Sequence, residues 1–180
     1  MALKNLGYLV DNELDAKILS SEGSSGVRGN LKVRYCPTDD TGEGEPDEDL
    51  LPEEPEDLLG KAITFKVEID GAKELPKDLC KNVFVSYGLN FDKSRSYQTE
   101  EVEGKSQNPS FNFTKLHHVD SVTPSILRYL ANGQMCFKVY GYPDFDMARK
   151  NMKKEIEESK KTETKKDDAK TQVAQKAESK

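Results

Sequence analysis

Apolar and polar side chains alternate along Thr64-Phe-Lys-Val-Glu-Ile69, in the middle of the chain. A β-strand has a side-chain period of two residues, so this pattern places all the apolar side chains on one face. Ile63 extends the same face at its start. We therefore predict a strand over residues 61–69 with one face in a hydrophobic core and the other in water, as is common in antiparallel sheets.

Similar segments lie on both sides of this strand and are separated by turn residues such as Gly, Pro and Asn. In the first of them the alternation directs Leu31, Val33 and Tyr35 inward, and Pro37 is predicted to end the strand. This strand covers residues 30–35, and the other predicted strands cover residues 79–87, 97–102, 111–116 and 135–140. These segments predict an all-β fold, which we interpret as a C2-like antiparallel β-sandwich.

Two segments differ from this two-residue pattern. The run Thr123-Pro-Ser-Ile-Leu-Arg-Tyr-Leu130 has apolar residues at helical spacing, and its first two residues favour a helix start. It predicts one short helix, capped by Thr123 and ended by Asn132-Gly133. Residues 3–19 mix apolar spacings of three and four around Gly7, and they fit either a short helix or a strand-like arm.

Charge is distributed unevenly along the chain. Hydrophobic residues make up 34% and charged residues 33%, and the net charge of −6 argues against binding nucleic acid through the whole surface. Residues 39–57 contain acids, Gly and Pro but no basic residue, which predicts a disordered, solvated loop. The alternative is an acidic segment that attracts a basic partner. Leucines would let part of this loop dock on the sandwich: Leu50, Leu51, Leu58 and Leu59.

The C-terminal stretch is rich in Lys and Glu. Residues 146–161 predict one charged helix with a thin apolar stripe, and the residues after Thr162 predict disorder. The basic concentration here is interleaved with acids and consists of Lys150, Lys153, Lys154, Lys160, Lys161, Lys165 and Lys166. It favours a solvated helix face, with weak attraction to an acidic surface, such as anionic lipid or the microtubule wall, as the alternative.

Three parts follow from these patterns. Residues 1–26 are predicted to form an N-terminal arm and linker, in which residues 20–26 are flexible. Residues 27–142 are predicted to form the sandwich, with the acidic loop 39–57 inserted, and residues 143–180 the charged helix and disordered tail. No secretory signal and no apolar run of the roughly 20 residues that a bilayer span needs is visible, so any membrane contact is expected to be peripheral.

A C2 sandwich that binds calcium needs several loop carboxylates at one end, because Ca²⁺ prefers six to eight oxygen ligands. After Leu75-Pro76, Asp78 is the lone acid, and Asn82 stands where a second acid is usual. In the other loop Gly141 replaces the key acid, although Asp144 and Asp146 follow. The sequence therefore predicts no metal site and no bound cofactor.

Cysteine and histidine could support nucleophilic chemistry, but their spacing gives little indication of it. Cys36, Cys80 and Cys136 form neither a disulfide framework nor a zinc motif, which favours reduced thiols in a cytosolic protein. Cys136 is expected to line the core. His117 and His118 are adjacent, so in a strand they would point to opposite faces and could not share a metal ion. An enzyme would need a reactive Cys80 or His117, and we predict no catalytic residue.

The order of these segments resembles the stalk region that follows the forkhead-associated domain in kinesin-3 motors. The resembling stretches are Leu31-Lys-Val-Arg-Tyr-Cys-Pro37, Gly60-Lys-Ala-Ile-Thr-Phe-Lys-Val-Glu-Ile69, Ala72-Lys-Glu-Leu-Pro76, Val83-Phe-Val-Ser-Tyr87, Thr99-Glu-Glu-Val-Glu103, Asn108-Pro-Ser-Phe-Asn-Phe-Thr-Lys-Leu116, Val122-Thr123, Tyr129-Leu130 and Phe137-Lys-Val-Tyr-Gly141. The resemblance covers residues 27–142 and implies a C2-like sandwich. The phosphate-binding loop and switch motifs of the motor are absent from this chain, so no ATPase role transfers to any of its residues.

This resemblance implies a non-catalytic module that attaches cargo or an adaptor, or that regulates a motor in microtubule-based transport. Its expected partners are a cargo adaptor or other kinesin segments, with indirect microtubule association and no nucleic acid. The expected location is the cytoplasm, at the cytoskeleton. The alternative function is a calcium-independent, C2-type module that binds membranes peripherally.

Overall fold

The computed structural model describes residues 1–20, 26–92 and 95–143. Its contacts divide the chain into two units, Met1–Tyr142 and Pro143–Lys180. Because the described residues end at Pro143, the predicted charged helix, the predicted disordered tail and the carboxylates of Asp144 and Asp146 lie outside them. No described helix has the length and apolar character that a membrane span requires.

Two antiparallel sheets make up most of the first unit. The first sheet has the order β1-β2-β3-β7, formed by Asn12–Leu19, Val27–Thr38, Ile63–Lys73 and Ser110–Val119. In the second sheet β4 (Lys81–Tyr87) pairs on one side with β8 (Phe137–Tyr142) and on the other with β5 (Tyr97–Gln98) and β6 (Val102–Lys105). One α-helix is described, α1 (Pro124–Asn132). The predicted all-β sandwich with one short helix is confirmed.

The apolar residues that the alternating pattern predicts to point inward are buried between the sheets. Leu31, Val33 and Tyr35 of β2 are buried, as are the four predicted apolar residues of β3, Ile63, Phe65, Val67 and Ile69. On β4 the buried row consists of Val83, Val85 and Tyr87. The helix prediction is also confirmed, because the Thr123 hydroxyl accepts a hydrogen bond from the Ile126 amide and α1 ends at Asn132.

The strand predictions at Pro37 and at residues 97–102 are wrong. Pro37 does not end β2 but pairs with Phe65 inside it. Because β1 pairs no further along β2 than Tyr35, β2 has a neighbour on only one side at Pro37, and proline is tolerated there without a ladder hydrogen bond. The predicted strand 97–102 is two short strands instead, since Thr99 leaves the ladder and its hydroxyl accepts from the Val85 amide at 3.0 Å.

The N-terminal residues belong to the sandwich. Lys4–Tyr8 form a 3₁₀ helix, and Asn12–Leu19 follow as β1, so the segment is a short helix and then a strand. Leu3, Leu6 and Leu9 lie in the core. The predicted start of the sandwich at Val27 is therefore wrong, because β1 and the buried leucines before it already belong to it.

The prediction of disorder for residues 39–57 is wrong. The Asp39 carboxylate accepts hydrogen bonds from the Thr41 hydroxyl and from the amides of Gly42 and Glu43, and this closes the first turn. The hydrogen bond from Thr41 helps to hold the pKa of Asp39 below its ordinary value. Two 3₁₀ helices follow, Glu48–Leu50 and Pro55–Leu58. Acidic side chains can order a loop in this way because each accepts backbone N–H groups that would otherwise be unpaired.

Of the four leucines that were predicted to let the loop dock on the sandwich, two do so. Leu58 is completely buried and Leu50 packs against the core, whereas Leu51 and Leu59 remain 53% and 44% exposed. A ladder of two hydrogen bonds, Gly60 N–H to Val122 O and Val122 N–H to Lys61 O, fixes the end of the loop.

Truncating Leu58 should destabilise the protein far more than truncating Leu51. Leu58→Ala leaves a cavity in the core and should lower the free energy of unfolding by about 2–4 kcal/mol. The control Leu51→Ala removes an exposed side chain and should change it by about 0.5 kcal/mol or less. Urea unfolding of both variants measures the difference, and equal midpoints would show that the loop is not anchored at Leu58.

Candidate interaction surface on the second sheet

Aromatic side chains lie on the solvent side of the second sheet. Phe84 on β4 and Tyr140 on β8 are directly paired, and their rings stack with centroids 4.9 Å apart and an angle of 15° between the planes. Tyr142 lies two residues further along β8 on the same face. Tyr140 is 44% exposed and Tyr142 52% exposed.

Strand alternation accounts for this arrangement. Val83, Val85 and Tyr87 of β4 point into the core, so Phe84 between them must point outward. On β8 the half-buried Phe137 and Val139 alternate with exposed residues. Aromatic residues therefore occupy positions that these strands would ordinarily give to polar side chains.

Lysines border the aromatic residues. Lys81 pairs across the strands with Tyr142, and Lys138 pairs with Ser86 next to the Phe84–Tyr140 stack. Within the described ranges neither lysine makes an ion pair. Leu79, just before β4, is 44% exposed. We call this set the aromatic surface, and it comprises Leu79, Lys81, Phe84, Lys138, Tyr140 and Tyr142.

Such a surface is suited to binding. Adjacent exposed aromatic side chains lose water-accessible apolar area when a partner covers them, and tyrosine is among the residues that dominate binding energies at protein interfaces. Sequence analysis missed this surface. The available signal was an aromatic residue at the outward position of each of two strands, Phe84 and Tyr140, and pairing across the sheet could not be assigned from sequence.

The two histidines point to opposite faces of β7, as predicted. His118 lies on the outer face, where its Nδ1 is 2.9 Å from the Thr64 hydroxyl. His117 is buried between the sheets, and its Nε2 forms a hydrogen bond of 2.8 Å with the Tyr87 hydroxyl of the opposite sheet. His117 belongs to β7 itself, so the predicted end of this strand at Leu116 is wrong.

An aromatic cluster surrounds His117. Its imidazole stacks on Phe65 at 5.2 Å and meets the Tyr97 ring edge-on at 4.5 Å. Tyr87 contacts three further rings of this cluster, those of Tyr97, Phe113 and Phe137. Burial disfavours the imidazolium, and with the nearby Lys115 charge it lowers the pKa of His117 to about 4, while the smaller effect of Asp92 opposes this. Burial also raises the pKa of Tyr87, so this hydrogen bond joins two neutral groups.

No hydrogen bond described for the three thiols joins one of them to His117 or His118. The Cys80 thiol is buried and donates to the Lys77 carbonyl at 3.4 Å, and the half-buried Cys36 thiol donates to the Pro37 carbonyl. Cys136 is exposed, so the expectation that it lines the core is wrong. The buried residue of that segment is Met135, and alternation turns the next side chain outward.

The two loops that would hold calcium in a C2 domain do lie together. The backbone of Gly141 packs so tightly on the Leu79 carbonyl that a Cβ atom at position 141 would overlap it. An aspartate cannot occupy this position without a backbone shift. Asn82 is engaged elsewhere, because its side-chain oxygen accepts from the Gly104 amide at 3.0 Å. The part of the chain that the structure describes brings no three acidic, Cys or His side chains close enough to hold a metal ion.

Comparison with known proteins adds no identification. No model of a known protein family matches the chain, and a search of curated proteins finds no significant similarity. The resemblance to the kinesin-3 stalk region therefore stays a prediction.

The buried His117 predicts acid sensitivity. Its folded-state pKa of about 4 lies below the unfolded value of about 6.5, so the unfolded chain binds more protons between these values. Stability should thus fall as the pH drops from about 6.5 to about 4, and this residue should account for about 2–3 kcal/mol of the loss. His117→Gln should lose that much less stability on acidification. Urea unfolding at several pH values tests this, with His118→Gln as the control; equal losses in wild type and His117→Gln would contradict it.

The close contact at Gly141 predicts a steric effect. Gly141→Ala should lower the free energy of unfolding by about 1–3 kcal/mol, because the new methyl group would force the Leu79 backbone away. Gly88→Ala is the matched control, since a Cβ atom there meets its nearest neighbour, the Arg95 carbonyl, at an ordinary 3.7 Å. Thermal and urea unfolding of both variants provide the measurement, and a fully stable Gly141→Ala protein would show that the loops are not held this closely.

Proposed function

We propose that this sandwich is a non-catalytic protein-interaction module. The observation that carries the proposal is the aromatic surface, where the half-buried Phe84 stacks on the exposed Tyr140 and the neighbouring Tyr142 is also exposed. A sheet holds such side chains in fixed positions, so a partner would bind them at little cost in conformational entropy.

The kinesin-3 resemblance supports a more specific role. By that resemblance, the module would attach a cargo adaptor, or bind another kinesin segment to regulate a motor, in microtubule-based transport at the cytoskeleton. The order of the predicted strands supports this role, since the stretches that carry the resemblance form β2, β3, β4, β7 and β8.

One observation favours a second candidate, a peripheral membrane module. Lys81 and Lys138 border the aromatic surface, and tyrosine next to lysine is a common combination at membrane interfaces. Such binding would be independent of calcium, because a glycine that packs on the Leu79 carbonyl occupies position 141 in place of an acid, and Asn82 is already hydrogen-bonded to the Gly104 amide. We favour a protein partner because the stacked pair lies on two paired strands rather than on a protruding loop.

Affinity capture with the full chain tests the main proposal. The wild-type protein should recover kinesin or cargo-adaptor polypeptides from a cell extract, and the double variant Tyr140→Ser/Tyr142→Ser should recover about tenfold less of them. Tyr8→Ser is the matched control, because Tyr8 is 37% exposed in the N-terminal 3₁₀ helix. Identical recovery by wild type and the double variant would contradict the proposal.

Vesicle sedimentation separates the two candidates. In the presence of a calcium chelator, the membrane candidate predicts binding to vesicles of phosphatidylcholine mixed with phosphatidylserine, and weaker binding to phosphatidylcholine alone. The protein-interaction proposal predicts no sedimentation with either. Anionic vesicle binding that is lost in the double tyrosine variant would replace the main proposal with the second.

A further inference from the structure

The two sheets differ in width. The first sheet has four strands side by side, whereas β4 of the second sheet is flanked by β8 on one side and by the short β5 and β6 on the other. Contact between His117 of β7 and Tyr97 of β5 aligns the two sheets along one side, where β7 is the edge strand of the first sheet and β5 an edge strand of the second. At the opposite side β1 therefore extends past β8, with no described strand of the second sheet beneath it.

The exposure of β1 agrees with a missing strand. Leu14 pairs with Val33 and Ala16 pairs with Leu31, so these β1 side chains share the inward face of the sheet. Val33 and Leu31 are buried, yet Leu14 is 39% exposed and Ala16 is only half-buried. We call the space beside β8 and beneath this face of β1 the edge slot.

The backbone of β8 presents hydrogen-bonding groups to the edge slot. Val85 of β4 exchanges hydrogen bonds with Thr99, on the side away from β8, so its neighbours Phe84 and Ser86 direct their backbone groups to β8. Their partners on β8 are Tyr140 and Lys138. The alternate residues, Phe137 and Val139, must then direct their N–H and C=O groups to the slot, and no backbone hydrogen bond joins these groups to any residue within the described ranges.

A strand-like segment already occupies the first position of this edge. The Met135 amide donates to the Met1 carbonyl at 2.8 Å, and the Met1 nitrogen donates to the Met135 carbonyl at 2.9 Å. Ala2 and Gln134 form an antiparallel bridge. Met135, Phe137 and Val139 alternate with the residues that face β4, so their backbone N–H and C=O groups point to the same side. Met1 already pairs with these groups at Met135, two residues before Phe137.

Strand β8 lacks the usual protection of an exposed edge. Edge strands commonly avoid pairing through an inward-pointing charge, a proline or short length. β7 has Lys115 on its inward row, and β5 has only two residues. β8 is six residues long, and its one charged residue, Lys138, points outward.

We infer that the edge slot binds an extended peptide segment of a partner protein, which joins the second sheet as an antiparallel strand beside β8. This inference rests on the proposed function and names the class of partner. The inward side chains of the segment would be apolar, because they would cover Leu14, Phe137 and Val139. Its outward side chains would be acidic, because they would lie beside Lys138, which makes no ion pair within the described residues.

A second copy of the chain fits the slot less well. Antiparallel pairing of two β8 strands with Phe137 opposite Val139 would bring two Lys138 side chains together on one face, where like charges repel. It would also direct the partner strand toward the position that Met1 holds beside Met135. Charge complementarity thus favours an acidic segment over self-association.

Peptide binding to the full chain tests this inference. The probes are two end-blocked octapeptides, one alternating valine with glutamate and the other valine with lysine. Fluorescence anisotropy should show that the glutamate peptide binds at least about fivefold more tightly, and amide exchange at Phe137 and Val139 should slow when it binds. Lys138→Glu should reverse the preference. Absence of binding by either peptide, or protection elsewhere alone, would overturn the inference.

Proline substitution isolates the backbone contribution. Val139→Pro removes an N–H that points to the slot and leaves the pairing with β4 intact, so it should weaken glutamate-peptide binding about tenfold or more. Val139→Ala is the matched control, because it shortens the side chain and keeps the N–H. If Val139→Pro does not fold, Leu14→Lys is the alternative variant, because it places a charge in the slot from the inward face of β1. Leu19→Lys is its control, since Leu19 lies at the end of β1 and is 71% exposed.

The remaining outcomes are also decisive. Strand addition would be overturned if the glutamate peptide bound folded Val139→Pro as tightly as Val139→Ala. It would also be overturned if this peptide bound Leu14→Lys as tightly as Leu19→Lys. A dimer in gel filtration that Val139→Pro abolishes would identify a second copy as the occupant and would likewise overturn it. If captured partners bind folded Val139→Pro as well as they bind wild type, the proposed function stands and strand addition fails. If capture is also independent of the aromatic surface, both fail.

Discussion

The hydrogen bond between His117 and Tyr87 joins the two sheets at the centre of the fold. Both side chains are buried, so an unpaired hydroxyl or imidazole there would cost free energy that the 2.8 Å contact avoids. The aromatic rings around it fix the spacing of the sheets, and Phe65 and Tyr97 contact the imidazole directly. Because the contact between His117 and Tyr97 aligns β7 with β5, it also determines which strand on the opposite side is left uncovered.

Much of the fold could be predicted from local pattern. The two-residue alternation in β3 and the Thr123 cap of α1 are properties of neighbouring residues, and both are confirmed. The interruption at Thr99 and the strand pairing of Pro37 could not be predicted, because each depends on where another strand ends or turns. The aromatic surface depends on the register between β4 and β8, which is likewise a property of two distant segments.

The acidic loop shows why composition alone misleads. A segment of acids, Gly and Pro lacks the apolar area to fold by itself, but this loop is held at its two ends by the paired strands β2 and β3. Its order then needs only a few local contacts, chiefly the Asp39 hydrogen bonds and the burial of Leu58. The remaining carboxylates stay in water, so the loop keeps its charge while adopting a fixed shape.

The pairing of Met1 with Met135 also constrains how the protein is made. These residues are 134 positions apart, so Met1 cannot complete its place in the sheet until almost the whole sandwich has been synthesised. Contacts of such long sequence separation slow folding, since a large loop must close before they form. Until then Leu3 and Leu6 have no core to enter, and the nascent chain would present them to chaperones during translation.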